Sequence, residues 1–413
     1  MTELAIVGAG VAGCALAAQL RRQGWSGSIN LLEIGRGPGG RAATRRSRRD
    51  PALAINHGAP LFNISGSPPP ALLAPLQQGD WIQPFTGVIQ ELDGEGRLIE
   101  AHGAGEGFHA GALWQGAGGM EQLSRGLLAL ATQAAQDAGG TLLRSGTLVR
   151  RLEALPGGAG WRLQGDGDGD GDALLLECRW LVLSGTLLAH PRCQAVFGWP
   201  EVPLQAAAEA LGEAQLLEAA ARLAAIDSTA SSNLLLTLPV ELAAAWLALP
   251  WRLLQLSPAA QERWGLRRVS LQPLADGRCA VVAESSPAFA AAHRHVYGSR
   301  SSAAQLLGAA PDPAEETATL EALQRALEQV VGLRCTGAGT GAGADAQLMR
   351  WGAAFPLAAD TGAATAGLPA DLQLCPASRI GFCGDAIAGP GFGRVEGALR
   401  SAEALAARLL PLL

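Results

Sequence analysis

Apolar runs separated by glycine breaks assign most elements of this chain. Residues 3–33 read as strand, helix, strand. A short apolar run ends at Val7, a helix spans Val11–Gln23 and is closed by Gly24, and a second apolar run ends at Leu31-Leu32-Glu33. Residues 52–104 are rich in Pro and Gly, with Pro68-Pro69-Pro70 as a breaker, and carry only short strand-like pieces. Gly118-Gly119-Met120 opens an amphipathic helix predicted over Glu121–Ala138, followed by strand-like runs at Thr147–Glu153 and Trp161–Leu163. The run Trp180–Ser184 does not alternate, which predicts a buried parallel strand.

From about 191 to 340 the texture changes. A helical stretch, Leu204–Ala225, is followed by strand candidates at Asn233–Leu238, Trp251–Leu256, Arg268–Pro273 and Cys279–Glu284. A helix over Pro313–Val330 is well signalled, with Asp312 as N-cap, Pro313 in the first position and Glu315 in the capping-box position. Residues 380–413 return to strand, glycine loop and helix. Antiparallel strands and helices set between dinucleotide-type segments predict an inserted substrate domain. The expected division is 1–55, 111–190 and 346–413 for the nucleotide-binding domain, and 56–110 and 191–345 for the substrate domain.

Composition narrows the chemistry. The 413 residues carry a net charge of −6, with no basic tract long enough to follow a phosphate backbone, so nucleic acid is not the expected partner. The dense cluster Arg45, Arg46, Arg48 and Arg49 has two readings, a solvated loop or a positive rim for a phosphorylated ligand. No lysine occurs, which excludes Schiff-base chemistry. Seven cysteines without paired metal-type spacing suit free buried thiols in a reducing compartment. Leu234–Leu256 is interrupted by Pro239, Glu241, Pro250 and Arg252, and makes a poor membrane span. Met1-Thr2-Glu3 runs straight into a strand, so no signal peptide and a cytoplasmic location are expected. The Gly165–Asp172 tract alternates Gly and Asp without calcium-site spacing, and a hairpin loop is expected there; no metal site is expected.

The motif that carries the most chemistry is Gly8-Ala9-Gly10-Val11-Ala12-Gly13. Gly8 permits a tight turn, Gly10 lets the backbone approach a diphosphate, and Gly13 lets helix and strand pack closely. The helix start offers free N–H groups to phosphates. Glu33, 20 residues past Gly13 at the end of the second strand, is placed to accept ribose hydroxyls. The loop 337–343 imitates a second such turn but lacks a preceding apolar strand and a following acid.

Gly39-Gly40-Arg41, with Thr44 after it, resembles the second glycine motif of the flavoprotein superfamily that includes amine oxidases, phytoene desaturases and protoporphyrinogen oxidases. Gly384-Asp385 at a strand end, followed by Gly391-Phe392-Gly393-Arg394-Val395-Glu396 and a helix, resembles the superfamily's C-terminal flavin motif. Within it, the renalases and their bacterial relatives are the nearest resemblance. It rests on Asn56-His57-Gly58-Ala59, Gly119-Met120, Arg350-Trp351 with Pro356, and the 393–398 segment with Ser401. Asn56 stands where that family has an acid, and Ala402 where it has glycine.

The resemblance implies an α/β fold: a three-layer FAD-binding Rossmann-type domain with an inserted α+β substrate domain on an antiparallel sheet. It implies non-covalent FAD held by Gly8, Gly10, Val11, Ala12, Gly13, Glu33, Gly39, Gly40, Arg41, Val149, Gly384, Asp385, Arg394, Val395 and Glu396. It implies hydride transfer from a small or dinucleotide donor to the flavin, with oxygen as acceptor. Amine-oxidase or desaturase activity on an apolar substrate is the alternative, and a non-catalytic carrier on the same fold ranks below both. His57, Trp351 and Phe392 are candidates to line the flavin, against backbone satisfaction for His57 and core packing for the aromatics. Cys375 or Cys383 as a covalent flavin anchor stands against simple burial.

Overall fold

The computed structural model describes residues 1–100, 111–133, 140–167, 172–300, 311–336, 344–357 and 367–413. The loop 337–343, the tip of the Gly-Asp tract at 168–171 and the expected helix end at 134–138 lie outside these residues. The first strand, Thr2–Val7, is apolar and buried, and pairs in parallel with Ile29–Leu32 on one side and with Ala173–Leu183 on the other. Parallel pairing needs a crossover, supplied by the helix Val11–Arg22. This helix is buried along nearly its whole length because the helices Glu121–Gln133 and Val395–Leu409 pack against it.

The central strand is longer than the run 180–184 suggested. It spans Ala173–Leu183 and is not purely parallel: its first half pairs antiparallel with Trp161–Asp166, its second half in parallel with Thr2–Val7 and Ile380–Phe382. Alternation in its outer half had hidden that extension, since Leu175 is exposed and Leu174 buried. The Gly-Asp tract joins the two antiparallel strands, and Gly167 N donates to Asp172 O at 2.8 Å. The resulting eight-stranded sheet is covered by the three helices above on one face and by Pro203–Leu211 and Ala214–Ala224 on the other. Those last two replace the single stretch 204–225: Gly212 adopts a left-handed conformation (φ 65°) and stops the first, and Glu213 caps the second.

A second sheet of seven strands holds Ile89–Leu92, Leu98–Glu100, Ser228–Leu238, Leu253–Leu256, Leu266–Pro273, Cys279–Ser285 and Asp345–Pro356. The third of these begins five residues before the expected Asn233, and the fourth begins at Leu253 rather than Trp251. One face packs Leu234, Leu236, Val269, Val281 and Leu348 under the helices Val240–Leu247 and Pro313–Val331. Asp312 caps the latter helix as expected, accepting from Ala314 N and Glu315 N. Period-2 alternation leaves Asn233, Leu235, Ser270, Val282 and Glu284 on the opposite face. Among the described residues, no helix is long and apolar enough to cross a membrane.

The C-terminal motif joins the first sheet by the pairing of Ile380–Phe382 with the central strand, and Trp161 secures the turn before it. Its indole is fully buried and donates to Ser378 O at 2.8 Å, pinning the turn that launches Ile380–Phe382. Trp161→Ala is expected to lower the unfolding free energy by about 3–5 kcal/mol, and Trp161→Phe by less. Urea unfolding followed by circular dichroism measures both; equal stability of Trp161→Ala and wild type would show that the strand is held elsewhere.

Candidate functional site

The three glycine segments meet at the carboxyl ends of the parallel strands. Gly8 has φ +101°, and its N–H donates to Leu32 O at 2.8 Å. A Cβ on Gly13 would lie 2.0 Å from Gly8 O, so only glycine lets the helix start this close to the strand. Gly10 is the N-cap and receives no side-chain cap, which leaves the first helical N–H groups at Val11, Ala12 and Gly13 without a side-chain acceptor. Val11 and Ala12 are buried. The second glycine motif docks onto this turn: Gly39 N donates to Ala9 O at 3.0 Å, and Gly40 passes against Gly10.

Glu33 is buried, with Oε2 accepting from Ala9 N at 2.8 Å and Oε1 from Gly35 N at 2.7 Å. Burial raises its pKa and these two hydrogen bonds oppose the rise. Each oxygen keeps a further lone pair for a hydroxyl donor. Val149 lies near this end of the site: Thr147 N, two residues earlier, donates to Glu33 O. The Val149 side chain is core, grouped with Ala5 and Leu32, so only its backbone can serve a ligand.

Arg41 and Asp385 are brought together as an ion pair, and Arg41 NH1 also donates to Ala354 O at 3.1 Å. Burial works against the Arg41 charge, but the Asp385 charge and hydrogen bond prevail and raise its pKa. Its side chain nonetheless keeps 42% of its surface open, so it stands in a crevice rather than in a core. That crevice is lined by Arg41, Gly185, Thr186, Gly384, Asp385 and Leu183.

Arg394 is the N-cap of the C-terminal helix, without a side-chain cap bond, so Val395 and Glu396 present helix-start N–H groups. Its guanidinium donates to Asn63 Oδ1 at 3.0 Å. The Glu396 carboxylate is fully buried and occupied by the protein itself: it accepts from Ser65 N, Ser65 Oγ, Gly66 N and Arg400 Nε. It thereby ties residues 65–66 to the helix. Burial alone would raise its pKa, yet the bonds from Ser65 and Gly66 hold it at about 2.

His57 and Trp351 meet, with ring centres 5.3 Å apart and planes inclined by 12°. His57 O accepts from Trp351 Nε1 at 3.1 Å and from Asn233 Nδ2 at 3.0 Å, while His57 Nδ1 is buried without a partner. Burial first, then the Arg45 charge, push its pKa down to about 4, so the ring is neutral above that pH. Trp351 owes its place to an irregularity in its strand. Trp351 opposes Ser231 and Phe355 opposes Thr229, so four residues span two, and the bulged segment carries Ala354 O to Arg41. Phe392 does not join this pair through any such bond; its ring edge lies against Gly367.

Asn56, the departure from an acid, does an acid's work through its oxygen. Oδ1 accepts from Thr44 Oγ1 at 2.8 Å and from Met120 N at 2.8 Å, and Thr44 Oγ1 accepts from Glu121 N. The arginine run divides: Arg46 pairs with Glu121, the charge of Arg45 is felt at His57, and Arg48 and Arg49, beyond the strand, are exposed. All seven cysteines are free and buried, and burial raises Cys375 to about 12 and Cys383 further, so neither is a ready thiolate.

Several contributors had no motif to announce them. Ser184 Oγ donates to Gly8 O at 2.7 Å and braces the glycine turn; its signal was position, at the carboxyl end of an apolar strand. On the second sheet, a bulge at Leu266/Arg268 lets Arg267 and Arg268 both reach Glu284. Asn233 and Glu284 are directly opposed in register, giving a buried polar row beside His57.

Residues 6–74 match the model of the NAD(P)-binding Rossmann-like domain. No curated protein sequence matches the chain. Among solved structures, cyclohexylamine oxidase from Brevibacterium oxydans superposes with a TM-score of 0.59 at 14% identity, over 99% of each chain. An oxidoreductase from Methanosarcina mazei gives 0.60 at 12% identity, over 98% of this chain and 99% of the other. Putrescine oxidase bound to putrescine gives 0.52 at 14% identity, over 99% of each. At these identities the likeness is one of fold: this chain shares the architecture of those oxidases from end to end.

The pKa shifts set the acid side of stability. His57 binds its proton less readily folded than unfolded, so stability is complete above about pH 6.5 and declines toward pH 4. Glu396 loses its proton more readily folded than unfolded, so its contribution holds above about pH 4.5 and is lost toward pH 2. Melting temperatures across pH 2–8 are expected to show the upper part of the decline reduced in His57→Gln and the lower part reduced in Glu396→Gln. Unchanged profiles would contradict the burial of both groups.

Proposed function

We propose that the chain is an FAD-dependent oxidoreductase. The observation that carries this reading is the convergence of three distant segments on one crevice: the Gly8–Gly13 turn, Gly39-Gly40-Arg41 docked on it, and Asp385 paired to Arg41. A one-motif nucleotide site has no need of the last two. The residues fit the cofactor in shape and charge. The glycine turn and helix start suit a diphosphate, Glu33 a ribose, Asp385 a ribityl hydroxyl, and the helix start at Val395 the electron-rich edge of a flavin. Bound FAD would supply a hydride acceptor at its N5.

The chain's own residues would position the donor rather than move protons. His57 is neutral and stacked on Trp351, so the pair forms a flat apolar wall fixed by two hydrogen bonds to the His57 carbonyl. With no lysine available, a lysine-held water cannot take part. Catalysis rests on orientation and on stabilising charge in the reduced cofactor.

The donor we favour is a dihydronicotinamide dinucleotide, as in the renalase-like enzymes the motifs resemble, with oxygen as acceptor. The charge of Arg45, felt at His57, supports an anionic donor. An amine donor is the second reading, supported by the shared fold with cyclohexylamine and putrescine oxidases. Anaerobic stopped-flow with FAD-loaded protein separates them: 6-dihydro-NAD(P) isomers are expected to bleach the flavin within seconds, and amines to leave it oxidised. Bleaching by amines alone would reverse the choice, and protein that neither retains nor takes up FAD would overturn the flavoenzyme reading.

A further inference from the structure

A second cation that no motif contains stands beside the crevice, bonded to a residue of its wall. Arg192 opens the short helix Arg192–Phe197, just beyond the turn that ends the central strand. Its guanidinium donates to Thr186 Oγ1 at 2.7 Å and forms no ion pair among the described residues. Thr186 lines the crevice together with Arg41, Gly384 and Asp385, and the space beside Gly185 is open. Through Thr186, Arg192 is held at the wall that Arg41 also lines; burial, and then the charge of Arg41, lower the Arg192 pKa to about 10. Asp385 is the carboxylate acting on both.

Two arginines sharing one carboxylate leave an uncompensated positive charge in a partly enclosed site. Such a charge is costly unless an anion answers it. Planar guanidinium forks suit phosphate oxygens, which accept paired hydrogen bonds from them. The crevice lies where the parallel strands end at Leu183 and Phe382, and Ser184, next to its wall residue Gly185, bonds Gly8 O of the glycine turn; an open α/β sheet places phosphate groups at such strand ends. We propose that Arg41 and Arg192 form a two-arginine clamp on the diphosphate of the bound dinucleotide, with Thr186 holding Arg192 in place. The clamp rests on the FAD reading above and adds to it a residue outside all three glycine motifs.

Titration of the ligand-free protein with FAD, followed by flavin fluorescence, tests the clamp without recourse to turnover. Arg192→Gln is expected to raise the FAD dissociation constant by about tenfold to 100-fold, and Arg192→Lys by less. ADP, which carries the diphosphate without the flavin, is expected to compete with FAD and to weaken by the same factor in Arg192→Gln. Added salt weakens FAD binding more steeply in wild type than in Arg192→Gln. If Arg192→Gln does not fold, Thr186→Val keeps the charge and releases the guanidinium, and its FAD dissociation constant is expected to rise severalfold. Unchanged FAD affinity in a folded Arg192→Gln, or in Thr186→Val where that variant stands in, overturns the clamp and leaves the flavoenzyme reading intact. Wild-type protein that binds no FAD overturns both.

Discussion

Arg41 and Asp385 lie 344 positions apart in the chain, and their ion pair joins the two ends of the nucleotide-binding layer. Around it the geometry is over-determined. Arg41 reaches Ala354 on the second sheet, its carbonyl accepts from Ala59 N, and Asp385 O accepts from Gly393 N in the loop that starts the C-terminal helix. The first sheet, the second sheet and the last helix therefore share one electrostatic node. The node is also exposed enough to meet a ligand, since 42% of the Arg41 side chain is open. A salt bridge of this kind is worth little as surface decoration. Here it matters through position, because it fixes where three backbone segments present their N–H groups.

Much of that node was legible in the sequence because its signals are local. A Gly-x-Gly-x-x-Gly turn between a strand and a helix needs no partner to be recognised, and Glu33 sits at a fixed offset from it. Asp312, Pro313 and Gly332 likewise bounded their helix by chemistry that acts within a few residues. What the sequence hid was pairing. The central strand was shortened because its outer half alternates, and its switch from antiparallel to parallel neighbours depends on strands far away in the chain. Arg192 and Asn233 gave no signal either, and Ser184 only that of its place at a strand end, because each matters through the partner it meets: Thr186, His57 and Gly8.

Bulges explain the remaining surprises. A strict two-residue repeat would send Arg267 and Arg268 to opposite faces of their strand, yet both reach Glu284. The extra residues between Trp351 and Phe355 act in the same way, bending an otherwise regular strand until Ala354 touches Arg41. The second of these breaks sheet regularity where the second sheet meets Arg41. Such interruptions re-aim side chains beside functional sites, and no propensity scale reports them.

The two sides of the crevice differ in kind, and this orders the functional inference. The nucleotide side is built from backbone N–H groups, glycines and fixed charges, which specify a diphosphate and a ribose narrowly. The second-sheet side, reached from Arg41 through Ala354, carries a neutral histidine stacked on tryptophan and a buried polar row in which Asn233 faces Glu284. A stacked, uncharged wall accepts flat rings of many kinds. On the proposed reading, discrimination between donors comes from charge at the margin, where the Arg45 charge is felt at His57, rather than from the wall itself. The proposed dinucleotide donor would bring its own phosphates to that margin, whereas an amine would bring a positive charge that Arg45 opposes. The cation that adds to burial in lowering the proton affinity of His57 is thus the one on which the proposed preference for an anionic donor rests.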